Sequence, residues 1–141
     1  EGLGRPAGHP ERIQCFFLVH FAETITQHSA ALTQQHVALR EDHMRSPIVM
    51  KLEAARLLKC YAALEQRLAG REYLLDGGFS AADISVGQAV YLARFFAHLD
   101  GFEAVAAWFA RITAREGFIA SLPGDDTLFE GEFFEPWEMP A

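Results

Sequence analysis

The sequence predicts an all-α fold, a bundle of four main helices followed by a short terminal one. Apolar residues recur every three or four positions in four separate stretches, which is the period of an amphipathic helix. Prolines and glycines fall between these stretches, where helices begin and end. No stretch shows the strict alternation of a half-buried strand. These three observations favour a helical bundle.

The first helix is predicted from about Pro10 to Leu39. Two sets of apolar side chains lie on different sides of it: Ile13, Phe16, Phe17 and Phe21 on one side, and Leu18, Ala22 and Ile25 on the other. Because apolar residues cover more than one face, we expect neighbours on both sides of this helix.

The second helix has clear start and stop signals. Ser46 suits the cap position and Pro47 the first helical position, while Gly70 provides the left-handed residue that ends many helices. Its predicted buried stripe consists of Met50, Ala54, Leu57, Leu58, Tyr61, Leu64 and Leu68. A short extended stretch, Tyr73 to Leu75, then leads into a turn.

The third helix opens with the sharpest local signal in the chain. Ser80 and Asp83 have the spacing of a capping box, with Asp in place of the commoner Glu, and Phe79 and Ile84 have the spacing of a hydrophobic staple. The run from Ile84 to Phe96 is nearly all apolar or small, so this helix is predicted to be the buried centre of the bundle.

The fourth helix is predicted from about Phe102 to Arg115. Its apolar stripe consists of Val105, Trp108, Phe109 and Ile112. Gly117 is expected to interrupt the helix, and a short helical turn is predicted to follow as far as Leu122, before Pro123.

Composition and charge divide the chain into three parts. Residues 1–9 are rich in glycine and proline and are interpreted as the remnant of an interdomain linker, residues 10–123 as the helical domain, and residues 124–141 as an acidic, aromatic tail. The net charge is −7, and the tail contains six acids and no lysine or arginine. No basic stripe is present to neutralise phosphates, which disfavours nucleic-acid binding.

The sequence has neither a membrane-spanning run nor a secretory leader pattern. Its longest apolar run is far shorter than the roughly 20 residues that a membrane span requires. We therefore expect no membrane association and a cytoplasmic location. The two cysteines, Cys15 and Cys60, fall inside helical patterns without metal-ligand spacing and are interpreted as small buried apolar groups.

The order of these segments resembles the C-terminal domain of glutathione transferases. The resemblance covers about residues 10 to 122 and rests on four stretches in order: 64–68 (LEQRL), 73–75 (YLL), 77–84 (GGFSAADI) and 108–112 (WFARI). One departure is visible after the fourth helix, where the family often has Ala-Arg-Pro and this chain has Ala114-Arg115-Glu116-Gly117.

The resemblance implies a two-domain parent protein. In that family an upstream thioredoxin-like domain binds glutathione, the cosubstrate, and supplies the residue that activates its thiol. The helical domain contributes the wall that binds a small electrophilic substrate and part of a homodimer interface. The resemblance therefore implies no catalytic residue and no cofactor in this chain. A non-catalytic interaction or assembly module is the alternative function.

Three polar residues of the first helix are the candidate substrate-binding residues. His20, Thr24 and Gln27 continue the stripe that Ile13 and Phe16 begin. Either they are satisfied polar groups within a domain interface, or they line a substrate cleft. The sequence leaves both interpretations open.

A metal site is not expected. Three histidines of the first helix are spaced by eight residues, which separates successive imidazoles by about 12 Å along the helix axis. They are His20, His28 and His36. They therefore cannot share a metal.

The tail combines acids with large apolar side chains. We predict that Phe133, Phe134 and Trp137 pack back against the first helix or the upstream domain, near the electrophile cleft, because burial of such groups offsets the entropy lost by ordering the segment. A flexible acidic arm that binds another protein is the alternative.

Overall fold

The computed structural model describes residues 2–122, 124 and 133, and within them the chain is all-helical, as predicted. The five α-helices are α1 (Arg12–Thr33), α2 (Pro47–Leu68), α3 (Ala81–Ala93), α4 (Glu103–Thr113) and α5 (Glu116–Ser121). A π-helical turn, Gln34–Ala38, extends α1, and a 3-10 turn, Asp42–Met44, precedes α2. None of the described helices is both long and apolar enough to cross a bilayer.

Helix α3 is the centre of the bundle, which confirms the prediction. It packs most extensively against α1 and also against α4, while α2 packs against α1 and α4. The largest fully buried side chains come from four helices and the segments that flank α3, and include Trp108, Tyr61, Phe96, Ile25, Leu57 and Leu74. One continuous core therefore holds α1, α2, α3 and α4 together.

Helix α2 begins and ends where the sequence predicted, but one residue of its stripe is wrong. The hydroxyl of Ser46 accepts the N–H of Val49, and Gly70 has a φ of +71° beyond the last turn. Leu58 is 41% exposed rather than buried. Since Leu57 already occupies the core-facing position, a residue 100° further round the helix turns toward solvent.

The break between α4 and α5 falls earlier than predicted. Gly117 lies inside α5, whereas the backbone departs from helix at Arg115, whose ψ is 138°.

The start of α4 is capped from another helix. Both carboxylate oxygens of Glu65 accept hydrogen bonds, from the N–H groups of Ala104 and Val105, each at 2.9 Å. These bonds satisfy donors that have no partner within α4.

The segment before α1 lies against the turn that precedes α3. The carbonyl of Leu3 accepts the N–H of Ala81 at 2.9 Å. The carboxylate of Glu11 accepts the N–H of Asp76 at 2.7 Å and lies 3.2 Å from the Nε of Arg5. Burial alone would raise the pKa of Glu11, but the hydrogen bonds that its carboxylate accepts from Gly77, Arg5 and Asp76 lower it. The turn is therefore attached to the start of α1.

Candidate functional site

The outer face of α1 is the side that points away from the core, and it carries Ile13, Phe16, Phe17, His20, Thr24 and Gln27. At 100° per residue these six positions fall in a sector about 100° wide. Ile13, Phe16 and Phe17 keep 83%, 48% and 60% of their surface exposed, and the three polar residues are also exposed. The fold thus places the predicted substrate-binding residues together, on one surface with large apolar neighbours.

The opposite side of α1 faces the core. Its buried residues are Cys15, Leu18, Ala22, Ile25, Ser29 and Leu32. The hydroxyl of Ser29 donates to the carbonyl of Ile25 at 3.1 Å, so this buried polar group is satisfied. Within the part of the chain that the structure describes, α2 and α3 cover this side, and the expectation of a neighbour on the outer face stays a prediction. Helical periodicity shows which side chains are apolar and does not show what covers them.

Aromatic rings on the outer face are held in place by neighbours. The Arg12 guanidinium carbon lies 4.7 Å from the centre of the Phe16 ring, and an Arg12 nitrogen donates to the carbonyl of Arg5 at 2.7 Å. The rings of Phe17 and Phe21 stack with centroids 6.3 Å apart. This end of the outer face is therefore an ordered aromatic surface with a positive charge at its edge.

The three histidines of the first helical segment lie in different surroundings. His20 is exposed on the outer face, and the Nδ1 of His28 is 2.6 Å from a carboxylate oxygen of Glu53 on α2. His36 lies in the π-helical turn and stacks on Phe96, with ring centroids 5.8 Å apart. Among residues 2–122, 124 and 133, no three His, Cys, Asp or Glu side chains are grouped as a metal site would require.

An open hollow of about 430 Å³ lies beside the C-terminal half of α1. Its lining is almost entirely apolar, although the residues include hydroxyls: Thr26, Ser29, Ala30, Thr33, Gln34, Ala38 and Leu92. The hydroxyls of Thr26 and Thr33 donate back to carbonyls one turn earlier, at 3.0 and 2.8 Å. Their methyl groups are therefore the parts left to line the hollow. The sequence reasoning missed this site, although small side chains at spacings of three and four mark this side of the helix.

The described part of the tail docks at the end of the first helical segment. The N–H of Phe133 donates to the carbonyl of Phe95 at 2.6 Å. Its ring lies 5.2 Å from the His36 ring and 5.7 Å from the Phe96 ring, centroid to centroid. Packing of Phe133 against the predicted first helix is therefore confirmed. The companion predictions for Phe134 and Trp137 concern positions outside the described residues.

Burial shifts the protonation of three groups near these features. Burial, together with the charge of Arg45, lowers the pKa of His36, which favours the neutral imidazole. Burial also raises the pKa of Tyr61 and of the Cys60 thiol. A thiol that stays protonated is a poor nucleophile, so Cys60 has the properties of a core residue.

The start of α3 contains a buried carboxylate with four donors. Ser80 and Asp83 form a capping box, in which one Asp83 oxygen accepts the N–H of Ser80 at 2.9 Å and its hydroxyl at 3.0 Å. The other oxygen accepts the N–H of Leu74 at 3.0 Å and the indole N–H of Trp108 at 2.9 Å. The last two partners were not predicted from the sequence. Asp83 thus joins α3, α4 and the segment before α3.

The two residues of the predicted staple lie next to this carboxylate. The Phe79 ring packs edge-on against Tyr73, with centroids 5.8 Å apart. Ile84 is 46% exposed. Both line one surface groove of about 930 Å³ that also includes Gly87, Ile112 and Phe118.

Comparison with protein families identifies the kind of domain. A family model described as the glutathione S-transferase C-terminal domain matches residues 22–111, which is more than half of the chain. No curated protein matches the sequence. The matched range includes the second half of the outer face, the hollow beside α1 and the Asp83 network.

Proposed function

Because this chain belongs to the family of glutathione S-transferase C-terminal domains, we propose that it is the helical domain of a protein that transfers glutathione to small electrophiles. An upstream thioredoxin-like domain would bind glutathione and activate its thiol. This chain would supply a wall of the electrophile site, without a catalytic residue of its own.

The exposed outer face of α1 is the observation that carries the proposal. Three large apolar side chains, Ile13, Phe16 and Phe17, keep about half or more of their surface exposed and continue into His20 and Thr24. Contiguous apolar surface of this kind is typical of a contact with a protein or a ligand. A mixed apolar and polar surface is also what binding an electrophile beside glutathione requires.

Two surfaces of α1 are candidates for the electrophile wall, the outer face and the hollow. His20, Thr24 and Gln27 lie on a convex face, which becomes a cleft only when another domain stands opposite it. The hollow that contains Thr33 is concave by itself, and its roughly 430 Å³ falls within the range of small-ligand sites. It also lies on the same helical segment as the docking point of Phe133. If the hollow is the electrophile wall, the outer face serves the domain contact, which is the first of the two interpretations of these polar residues.

The remaining parts of the proposal concern assembly and location. We expect the parent to be a cytoplasmic homodimer, with the helical domain providing part of the dimer contact. The alternative is a helical domain that serves assembly alone. Conjugation by the complete protein separates the two, because an assembly module would conjugate no glutathione.

The test is steady-state kinetics of the complete protein with glutathione and an aryl halide. Ala30→Leu places a larger side chain in the hollow, and Gln27→Ala shortens one polar side chain of the outer face. If the hollow is the electrophile wall, Ala30→Leu raises the KM for the aryl halide by about tenfold and leaves the KM for glutathione unchanged. Gln27→Ala has that effect instead if the outer face is the wall.

The control is Gln66→Ala on the exposed side of α2, which leaves both KM values unchanged. A complete protein that binds glutathione but conjugates none of a panel of electrophiles contradicts the proposed activity and favours the assembly module. If Gln27→Ala raises the KM for glutathione as well as that for the aryl halide, and also lowers the melting temperature, Gln27 belongs to the domain interface.

A further inference from the structure

A second set of exposed apolar side chains lies where the first helical segment turns into α2. Val37, Met44, Ile48 and Leu52 form this corner patch and keep between 43% and 72% of their surface exposed. Ile48 and Leu52 lie one turn apart on α2, whereas the core-facing residue of this turn is Met50. Exposed apolar side chains that lie close together are typical of a contact surface.

Hydrogen bonds fix the chain segments that carry the corner patch. The Nε of Arg45 donates to the carbonyl of Leu39 at 3.0 Å, and an η-nitrogen donates to the carbonyl of His36 at 3.4 Å. The side-chain oxygen of Gln35 accepts the N–H of Ser46 at 2.6 Å. The end of the first helical segment and the start of α2 therefore form one ordered surface.

The corner patch belongs to the part of the chain that has a positive net charge. Residues 37–59 contain five lysines and arginines and three acids, which gives a net charge of +2. Residues 1–36, which include the outer face of α1, carry −1, and residues 60–123 carry −2. An acidic segment is therefore attracted to the corner patch more than to the outer face of α1.

The tail reaches the domain beside the corner patch. The Phe133 ring lies 5.2 Å from the His36 ring, centroid to centroid, and Arg45 donates to the carbonyl of that same histidine. Leu52, the far end of the patch, is within roughly 15 Å of Arg45 along the chain. Residues 134–141 can extend to about 26 Å, so they can reach the whole patch from Phe133.

The residues that follow Phe133 complement the corner patch in composition. They include three large apolar side chains and two acids, without any lysine or arginine: Phe134, Glu135, Trp137, Glu138 and Met139. Burial of apolar side chains against an apolar surface is favourable, and opposite charges on the two surfaces add a smaller attraction.

We propose that residues 134–141 bind the corner patch, so that their apolar side chains cover Ile48 and Leu52 and their acids lie near the basic residues of this part of the chain. Because Phe133 is held at the domain, this binding is intramolecular and has a high effective concentration. In this proposal Trp137 contacts α2 instead of α1. The contact lies within this chain and does not require the upstream domain of the proposed function.

The test measures maleimide labelling of Ile48→Cys in this chain with two tails, the unaltered tail and one with Trp137→Ser and Met139→Ser. The unaltered tail slows labelling at position 48 by about fivefold relative to the altered one, since the thiol reacts only when the tail leaves the patch. The unsubstituted chain corrects for Cys15 and Cys60, which are buried.

The control is Gln66→Cys, which is exposed about 27 Å further along α2 and should label at the same rate with both tails. Leu52→Cys repeats the measurement if Ile48→Cys fails to fold. Equal rates with the two tails at position 48, or at 52, overturn the proposal. Slow labelling that persists with the altered tail and depends on protein concentration also overturns it, because a second copy of this chain then covers the patch.

A charge reversal tests the electrostatic part of the contact. Glu135→Lys together with Glu138→Lys should speed labelling at position 48 by about twofold or more, because the segment then carries the same sign of charge as residues 37–59. An unchanged rate contradicts the charge complementarity on which the proposal depends.

Discussion

The start of α3 and the outer face of α1 have similar sequence patterns but different surroundings in the structure. Both combine apolar residues at helical spacing with polar ones. At the start of α3 the Ser80 and Asp83 side chains have partners within the domain, and Asp83 is fully buried with four donors. On the outer face, Phe17 and His20 are exposed to solvent. A buried polar group with hydrogen-bond partners stabilises the domain, whereas a cluster of exposed apolar side chains is typical of a binding surface.

The comparison predicts that mutations in the two regions act on different properties. Changes at the start of α3 should reduce the stability of this chain by itself. Changes on the outer face should leave the stability of this chain almost unchanged and act only when a partner is present.

The largest effect is expected for Asp83→Ala. It leaves the N–H groups of Ser80, Leu74 and Trp108 buried without an acceptor, so the free energy of unfolding should fall by about 3 to 5 kcal/mol. Denaturant titration measures it. Asp76→Ala is the control, because Asp76 is exposed and its ion pair with Arg71 should contribute less than about 1 kcal/mol. Equal effects of the two substitutions would contradict the role given to the buried carboxylate.

Phe133→Ala should have an intermediate effect. Loss of its ring contacts with His36 and Phe96 should lower the free energy of unfolding by about 1 to 2 kcal/mol, because the ring is only partly buried. Phe16→Ala is the matched control on the outer face and should change it by less than about 0.5 kcal/mol. An unchanged stability of the Phe133 variant would show that the tail does not dock in solution.

Glu65→Gln should have a smaller effect. The amide keeps one acceptor for α4 but loses the charge and one of the two hydrogen bonds, which should cost about 1 kcal/mol. Thermal unfolding gives the comparison with Gln66→Ala, the exposed neighbour. If Glu65→Gln leaves the melting temperature as unchanged as Gln66→Ala does, the cross-helix cap does not contribute to stability.

The pH dependence at His36 should be the smallest effect. Its pKa is lowered in the folded state from an ordinary value of 6.5, so the unfolded chain binds the proton more readily. The contribution of His36 to stability is therefore complete above about pH 6.5 and is lost as the pH falls toward the folded-state pKa. Unfolding titrations between pH 7.5 and about pH 5 should show a shallower decline for His36→Phe than for the unsubstituted chain. Parallel declines would contradict a partly buried, neutral imidazole at position 36.

The sequence predicted most of the fold because local signals marked most helix ends. Pro47, Gly70 and the spacing of Ser80 and Asp83 fall at helix boundaries in the structure. Leu58 was wrongly predicted to be buried because it follows Leu57, and an apolar residue beside the core-facing one still fits an approximate helical stripe. Gly117 was misplaced because glycine lowers helix propensity without forbidding the first turn of a short helix.

The candidate sites were harder to predict than the helices. That Trp108 donates to Asp83 depends on how α3 and α4 pack, across 25 residues of sequence. A buried indole N–H does need an acceptor, and that requirement was the one available signal. The hollow and the groove are shapes between elements, and a one-dimensional pattern contains no information about concave shape. His20, Thr24 and Gln27 were predicted as a group, but any cleft that they line depends on the upstream domain of the proposed function.

The most direct test of the central claim is Phe17→Ser made twice, in this chain and in the complete protein that the proposed function requires. Phe17 is 60% exposed in this chain, so its free energy of unfolding should change by less than about 0.5 kcal/mol. In the complete protein the same substitution should lower the free energy of unfolding by about 2 kcal/mol or more, because a covered aromatic ring is lost from an interface. If the complete protein is as indifferent to the change as this chain, the outer face of α1 is not a contact surface.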